Sequence, residues 1–144
     1  LFGNNEYLTI NDLANKLGLK NLEFFPLLSV DEFPYLIQRA DCHFVIQKEL
    51  VTDAFLPSKF ANILYAGGRC IVCAPESSYL HRFCMANHGV AFVPKSFEIE
   101  HVQATLFEVL AMSGKNEISI QYAKTFLDKD VILKEFSDRL KADI

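Results

Sequence analysis

Tryptophan is absent from this 144-residue chain, methionine occurs only twice, and glycine and proline number six and five. So little glycine and proline excludes a collagen-like or low-complexity chain. A basic excess is missing as well. Fourteen Lys and Arg against 18 Asp and Glu leave a net charge of -4, which supplies no basic face for nucleic acid. No apolar run reaches the length of a membrane span and no secretory leader pattern is visible, so the simplest expectation is a cytoplasmic protein without a membrane span. The four cysteines are too few for a disulfide scaffold. Cys42, Cys70, Cys73 and Cys84 sit in apolar segments as small hydrophobes. The Cys70-x-x-Cys73 spacing falls inside an expected strand, where side chains three apart point to opposite faces, so neither metal nor redox chemistry is expected there. His43, His81, His88 and His101 lack metal-ligand spacing, and no metal site is assigned.

What is present is a 51% hydrophobic, 22% charged composition compatible with one globular domain over residues 1–144. Apolar segments of two periods alternate, the pattern of an α/β fold with a parallel sheet flanked by helices. Leu1-Phe2-Gly3 reads as the end of a strand. Thr9 is placed to cap a helix through about Leu17, stopped by Gly18. Leu22 to Phe25 and Cys42 to Ile46 read as strands. Between them Ser29 and Glu32 have capping-box spacing, confined to a first turn by Pro34. Helices are expected near Ser78 to Ala86 and Glu98 to Met112, with a short strand at Val90 to Val93 between them. Two C-terminal helices follow within about 115–141, near Glu117 to Phe126 and Val131 to Lys141. The charges of Lys129, Asp130, Lys134, Glu135, Asp138, Arg139 and Lys141 read as a solvated face.

The richest segment is Asp53 to Ala74, DAFLPSKFANILYAGGRCIVCA. Pro57 suits a first helical turn, because its missing N–H costs nothing there and its φ is already helical. Ser58, Lys59 and Phe60 then carry backbone N–H groups pointing out of the helix start, an anion site to which Lys59 adds a full charge. Gly67 and Gly68 supply the left-handed helix stop, and Arg69 to Ala74 reads as a buried parallel strand.

This order resembles the C-terminal, donor-binding half of retaining GT-B fold glycosyltransferases, and most closely the colanic-acid and exopolysaccharide type. The residues that carry the resemblance are the Asp53-Ala54-x-x-Pro57-Ser58-Lys59-x-x-Asn62-Ile63-Leu64-x-x-Gly67-Gly68 segment and the late stretch Tyr122 to Phe136. Gly3-Asn4-Asn5 stands at the family's glycine-containing loop, Leu19 to Phe25 at one of its strands, and Asp31 to Asp41 at a helix. The resemblance implies a Rossmann-like domain that binds a nucleotide-diphosphate sugar in polysaccharide biosynthesis of the exopolysaccharide, capsule or lipopolysaccharide type, with hexosyl transfer and retention as the implied chemistry and no further cofactor. By the same resemblance, Gly3, Pro57, Ser58 and Lys59 face the diphosphate, Asn62 the ribose, Phe25 and Pro26 the base, and Asp53 the sugar. Two glutamates of the family are replaced here, the second by Asn62 and the first by Ala54 beside Asp53. An amide hydrogen-bonds a hydroxyl without the charge-assisted strength of a carboxylate. The family's first βα unit, with its diphosphate-neutralising Arg and Lys, and its N-terminal acceptor domain have no counterpart in the sequence, so the chain by itself is expected to transfer no sugar. Partners expected on this reading are the donor, the acceptor domain, a second copy of the chain, and a membrane surface touched peripherally by the full-length enzyme.

Two other readings stay open. A flavodoxin-like regulatory or ligand-binding module shares the architecture, although Asp41 precedes its strand instead of ending it, which disfavours a phosphoacceptor role. A sugar-phosphate enzyme such as an epimerase shares it too. Glu76, after a strand end, reads equally as a ligand contact and as a turn carboxylate. Base, sugar, acceptor and linkage are not legible in the residues.

Overall fold

A computed structural model describes residues 4–25, 29, 31–47 and 56–142. The chain divides into two compact units, residues 1–33 and 34–144. In the first unit, helix α1 spans Asn4–Lys16. It starts before Thr9, which therefore lies within the helix and does not cap it; Gly18 follows its end as expected, at φ 65°. Leu22 to Phe25 is not a strand. Leu22 is 42% and Phe25 66% exposed, so a short, largely apolar run proved insufficient to define a strand. The capping box forms as the spacing requires. The Ser29 amide donates to Glu32 Oε2 at 3.1 Å and the Glu32 amide donates to Ser29 Oγ at 3.2 Å. The bond from the Ser29 hydroxyl holds the Glu32 carboxyl below its usual pKa.

The second unit is α/β. Helix α2, Phe33–Arg39, leads to strand β1, His43–Ile46, then helix α3, Ser58–Ala66, and strand β2, Cys70–Cys73. The strands are parallel, with His43 opposite Cys70 and Ile46 opposite Cys73. Of the expected strand at Val90 to Val93, only a bridge forms. Phe92 exchanges bonds with β2, its amide donating to the Cys70 carbonyl and its carbonyl accepting from the Val72 amide, both at 2.8 Å. Pro94 cannot donate to a ladder, which accounts for the short pairing. Helices α4 (Tyr79–Ala86), α5 (Ile99–Leu110), α6 (Glu117–Tyr122) and α7 (Lys129–Ala142) complete the unit, and Ala123–Leu127 continues α6 as a π-helical turn.

The core lies around α3 and β2. Phe60, Ile63, Leu64, Cys70, Ile71 and Val72 are fully buried, joined by Leu80, Val90 and Val109. On α3 the spacing of Phe60, Ile63 and Leu64 puts them on one face, which explains why that face packs on β2 and α6. Phe83 links the layers edge-on, its ring centroid 5.9 Å from that of Phe60 and 5.3 Å from that of Tyr122.

Candidate functional site

Helix α3 is antiparallel to the strands on either side of it in sequence. Its C-terminus turns through Gly67 and Gly68 directly into β2, so its N-terminus lies at the edge where β1 and β2 end. Ligands of open parallel sheets collect at that edge. Pro57 is the N-cap, with φ -57° and ψ 134°, and does not sit inside the first turn as the sequence suggested. Its ring has no acceptor atom, and its carbonyl takes the first intrahelical bond, from the Ala61 amide at 3.1 Å. The amides of Ser58, Lys59 and Phe60 therefore have no capping acceptor among the described residues. Ser58, Lys59 and Asn62 are exposed and share the helix face opposite Phe60, Ile63 and Leu64. The arrangement offers an anion three amides, a hydroxyl and an ammonium, with a neutral amide one turn further along.

The C-terminal end of α3 is closed tightly. Gly67 adopts φ 73°, and a Cβ on Gly68 would stand 2.8 Å from Cδ2 of His43 and 2.9 Å from Cγ2 of Ile63. His43 bonds the Ile37 carbonyl through Nε2 at 3.0 Å. Burial lowers its imidazole pKa; the bond to Ile37 works against that shift and the Lys59 charge adds to it. From the C-terminal side, the Asn116 amide donates to the Gly67 carbonyl at 2.9 Å, its side chain donates to the Gly89 carbonyl at 2.9 Å, and the Ser119 hydroxyl donates to the Leu64 carbonyl at 3.2 Å. The Arg69 guanidinium donates to the Gly114 carbonyl.

The sheet order sets two more loops at the edge beside the α3 start. After β2, Ser78 caps α4 by accepting from the His81 amide at 3.1 Å, and His81 Nδ1 stands 3.2 Å from the Ala74 carbonyl. Glu76 is an exposed residue of this turn. After Phe92, Ser96 Oγ stands 2.7 Å from His101 Nδ1 and accepts from the Glu98 amide at 3.2 Å. Sequence reading missed this second loop, whose only signal was its place after a short strand.

Of the candidate residues, Pro57, Ser58, Lys59 and Asn62 come together. Phe25 belongs to the first unit. Gly3, Pro26, Asp53 and Ala54 lie outside the described residues. The cysteines are free thiols, with Cys70 and Cys84 buried. Burial raises all four, Cys84 to about 12, and the neighbouring thiols add to the effect at Cys70. Among the described residues no three His, Cys, Asp or Glu side chains are grouped to hold a metal, and no helix is long and apolar enough to cross a membrane.

No protein-family model matches the chain, and no solved structure does so. Over 132 residues, 92% of its length, the chain is 34% identical to a colanic acid biosynthesis glycosyl transferase, WcaI, of Escherichia coli (strain K12). It spans about one third, 32%, of that relative's length. The chain therefore matches a segment of a glycosyltransferase and stands close in sequence to the colanic acid biosynthesis enzymes.

Proposed function

We propose that this chain is the nucleotide-sugar donor-binding part of a GT-B type glycosyltransferase acting in bacterial polysaccharide biosynthesis. The observation that carries the reading is the start of α3, where a lysine stands among three amides that have no capping acceptor among the described residues, at the carboxyl edge of a parallel sheet. A donor diphosphate seated there leaves with its growing charge facing fixed amide dipoles and the Lys59 ammonium. Such stabilisation acts most strongly at the moment the glycosidic bond breaks. Asn62, exposed one turn along on the same face, would take a ribose hydroxyl on this reading. Retention and hexosyl transfer belong to this proposal, as does a cytoplasmic location. The acceptor would be bound by parts of the full-length enzyme beyond the segment matched here.

A panel of nucleoside diphosphates and nucleotide sugars, read by thermal shift, tests the reading. A ligand that binds only the folded state raises the melting temperature as RT ln(1 + [L]/Kd), so millimolar affinity registers at high ligand concentration. A rise with a nucleoside diphosphate and none with the matching nucleoside supports it. No response to any member overturns it in favour of a regulatory module of the same architecture.

A further inference from the structure

Helix α7 has a well-made start and an apolar face that the rest of its unit leaves bare. Asp128 caps it, its Oδ1 accepting from the Asp130 amide at 2.9 Å and from the Val131 amide at 3.4 Å. Its one substantial neighbour among the described residues is the π-helical turn Ala123–Leu127 that precedes it. Ile132, Leu133, Phe136 and Leu140 have the spacing of a single helix face. Phe136 is 62% exposed and the other three are half-exposed. A helix of this length is marginal alone in water, and helices of folded proteins draw most of their stability from burying such a face. The stripe therefore calls for a covering surface.

The charges beside the stripe select what covers it. One flank carries Glu135 and Arg139, which pair with each other within the helix, and the other carries Asp130 and Lys141. In an antiparallel two-fold pair each flank meets its own copy reversed. With Phe136 at the axis, Ile132 faces Leu140 of the second copy, and Asp130 and Glu135 come level with Lys141 and Arg139 of that copy to within about two residues, or about 3 Å. Opposite charges then meet on both flanks, and the two helix dipoles run in opposition. A parallel pair would gain Glu135 on Lys134 but set Arg139 against Lys141. An anionic membrane fits worse, because Asp130, Glu135 and Asp138 are interleaved with the basic residues and the chain carries a net charge of -4. We propose that α7 is a self-association surface, on which a second copy of this chain docks its own α7 in antiparallel orientation. The charge pattern is complementary to itself, a property that an unrelated partner would not require.

The test is sedimentation equilibrium of the 144-residue chain. The helix is only about 21 Å long, so the interface is small and the dimer should be reversible, forming between about 10 μM and 1 mM. Phe136→Glu places two carboxylates at the axis and should leave a monomer throughout that range. The position is exposed, so an unchanged circular dichroism spectrum serves as the control. Arg139→Glu and Glu135→Arg each set like charges across a flank and should each weaken the dimer about tenfold. An equimolar mixture of these two variants should recover it, because opposite charges then face each other between the chains while both helices still lack their internal pair. That recovery separates docking from an effect on the helix itself. A wild-type chain that stays monomeric, a dimer that survives Phe136→Glu, or a mixture that associates no more tightly than either variant alone overturns the proposal. A monomer that sediments with phosphatidylglycerol vesicles and loses them on Phe136→Glu overturns it in favour of a lipid surface.

Discussion

The backbone amide of Asn116 donates to the carbonyl of Gly67 at 2.9 Å, tying the start of α6 to the last turn of α3. Asn116 also caps its own helix, its Oδ1 accepting from the Ser119 amide at 3.2 Å, and holds the Gly89 carbonyl through Nδ2. One residue thus serves three segments, two of them through its side chain. Asn116→Ala should destabilise the fold by about 1–3 kcal/mol, the sum of a lost cap and an orphaned carbonyl. Asn116→Asp, which keeps the cap, should lose less. Urea denaturation followed by circular dichroism gives both values; equal stability of wild type and Asn116→Ala would show that the cap and the Gly89 bond add nothing.

Gly68→Ala places a methyl group against the His43 ring, which is pinned by its bond to Ile37, and against Ile63. Overpacking of this kind costs roughly 1–3 kcal/mol. His43→Ala in the same chain should restore part of that loss, because it removes one of the two clashes. A double-mutant cycle in urea measures the coupling, and strict additivity would show that the ring yields freely.

The buried imidazole of His43 makes stability depend on pH. Its folded pKa lies below the ordinary value, so between the two values the unfolded chain binds more protons. The contribution is complete above about pH 6.5 and falls as the pH drops toward the folded value. Melting temperatures across mildly acid pH should decline, and His43→Gln should flatten that decline. A profile that the substitution leaves unchanged would assign the slope to other groups.

Lys59→Ala should weaken nucleoside diphosphate binding by about 1–3 kcal/mol, the range for a charge-assisted hydrogen bond, with little change in stability because the side chain is exposed. Asn62→Ala should cost less, and more for a nucleotide than for inorganic pyrophosphate, since its assigned partner is the ribose. Calorimetry with both ligands decides; an unchanged diphosphate affinity for Lys59→Ala would remove the lysine from the site.

Cys70 and Cys84 are buried protonated thiols, and only thiolates alkylate readily. In native protein at neutral pH, iodoacetamide should modify them only as fast as the chain opens, and after the half-buried Cys42 and Cys73. Mass spectrometry over time tests the order.

Local chemistry made much of this fold legible. The Ser29 and Glu32 box and the Gly67 stop each depend on residues a few positions apart, and both form. The βα order around Asp53 to Ala74 was readable for the same reason. Long-range demands were not. Leu22 to Phe25 has a strand's composition but forms no strand, and Phe92 pairs at one bridge where a strand was expected. The part of Asn116 spans 49 positions to Gly67, a distance no local pattern encodes. At the candidate site the helix start was legible through Pro57 and Lys59. The neighbouring loop with Ser96 and His101 reaches the same edge only through the sheet order.

The clamp on α3 sits at its C-terminal end, and Phe60 packed on Phe83 steadies its first turn, so the helix is held at both ends. Its nine residues are about 13 Å long, and a tilt of about 5° at Gly67 displaces the tip at Ser58 by about 1 Å. Displacements of that size are large on the scale of catalytic alignment. A helix held at both ends leaves little room for such a tilt at the Ser58 tip, and the close approach of Gly68 to His43 and Ile63 removes slack at the other end.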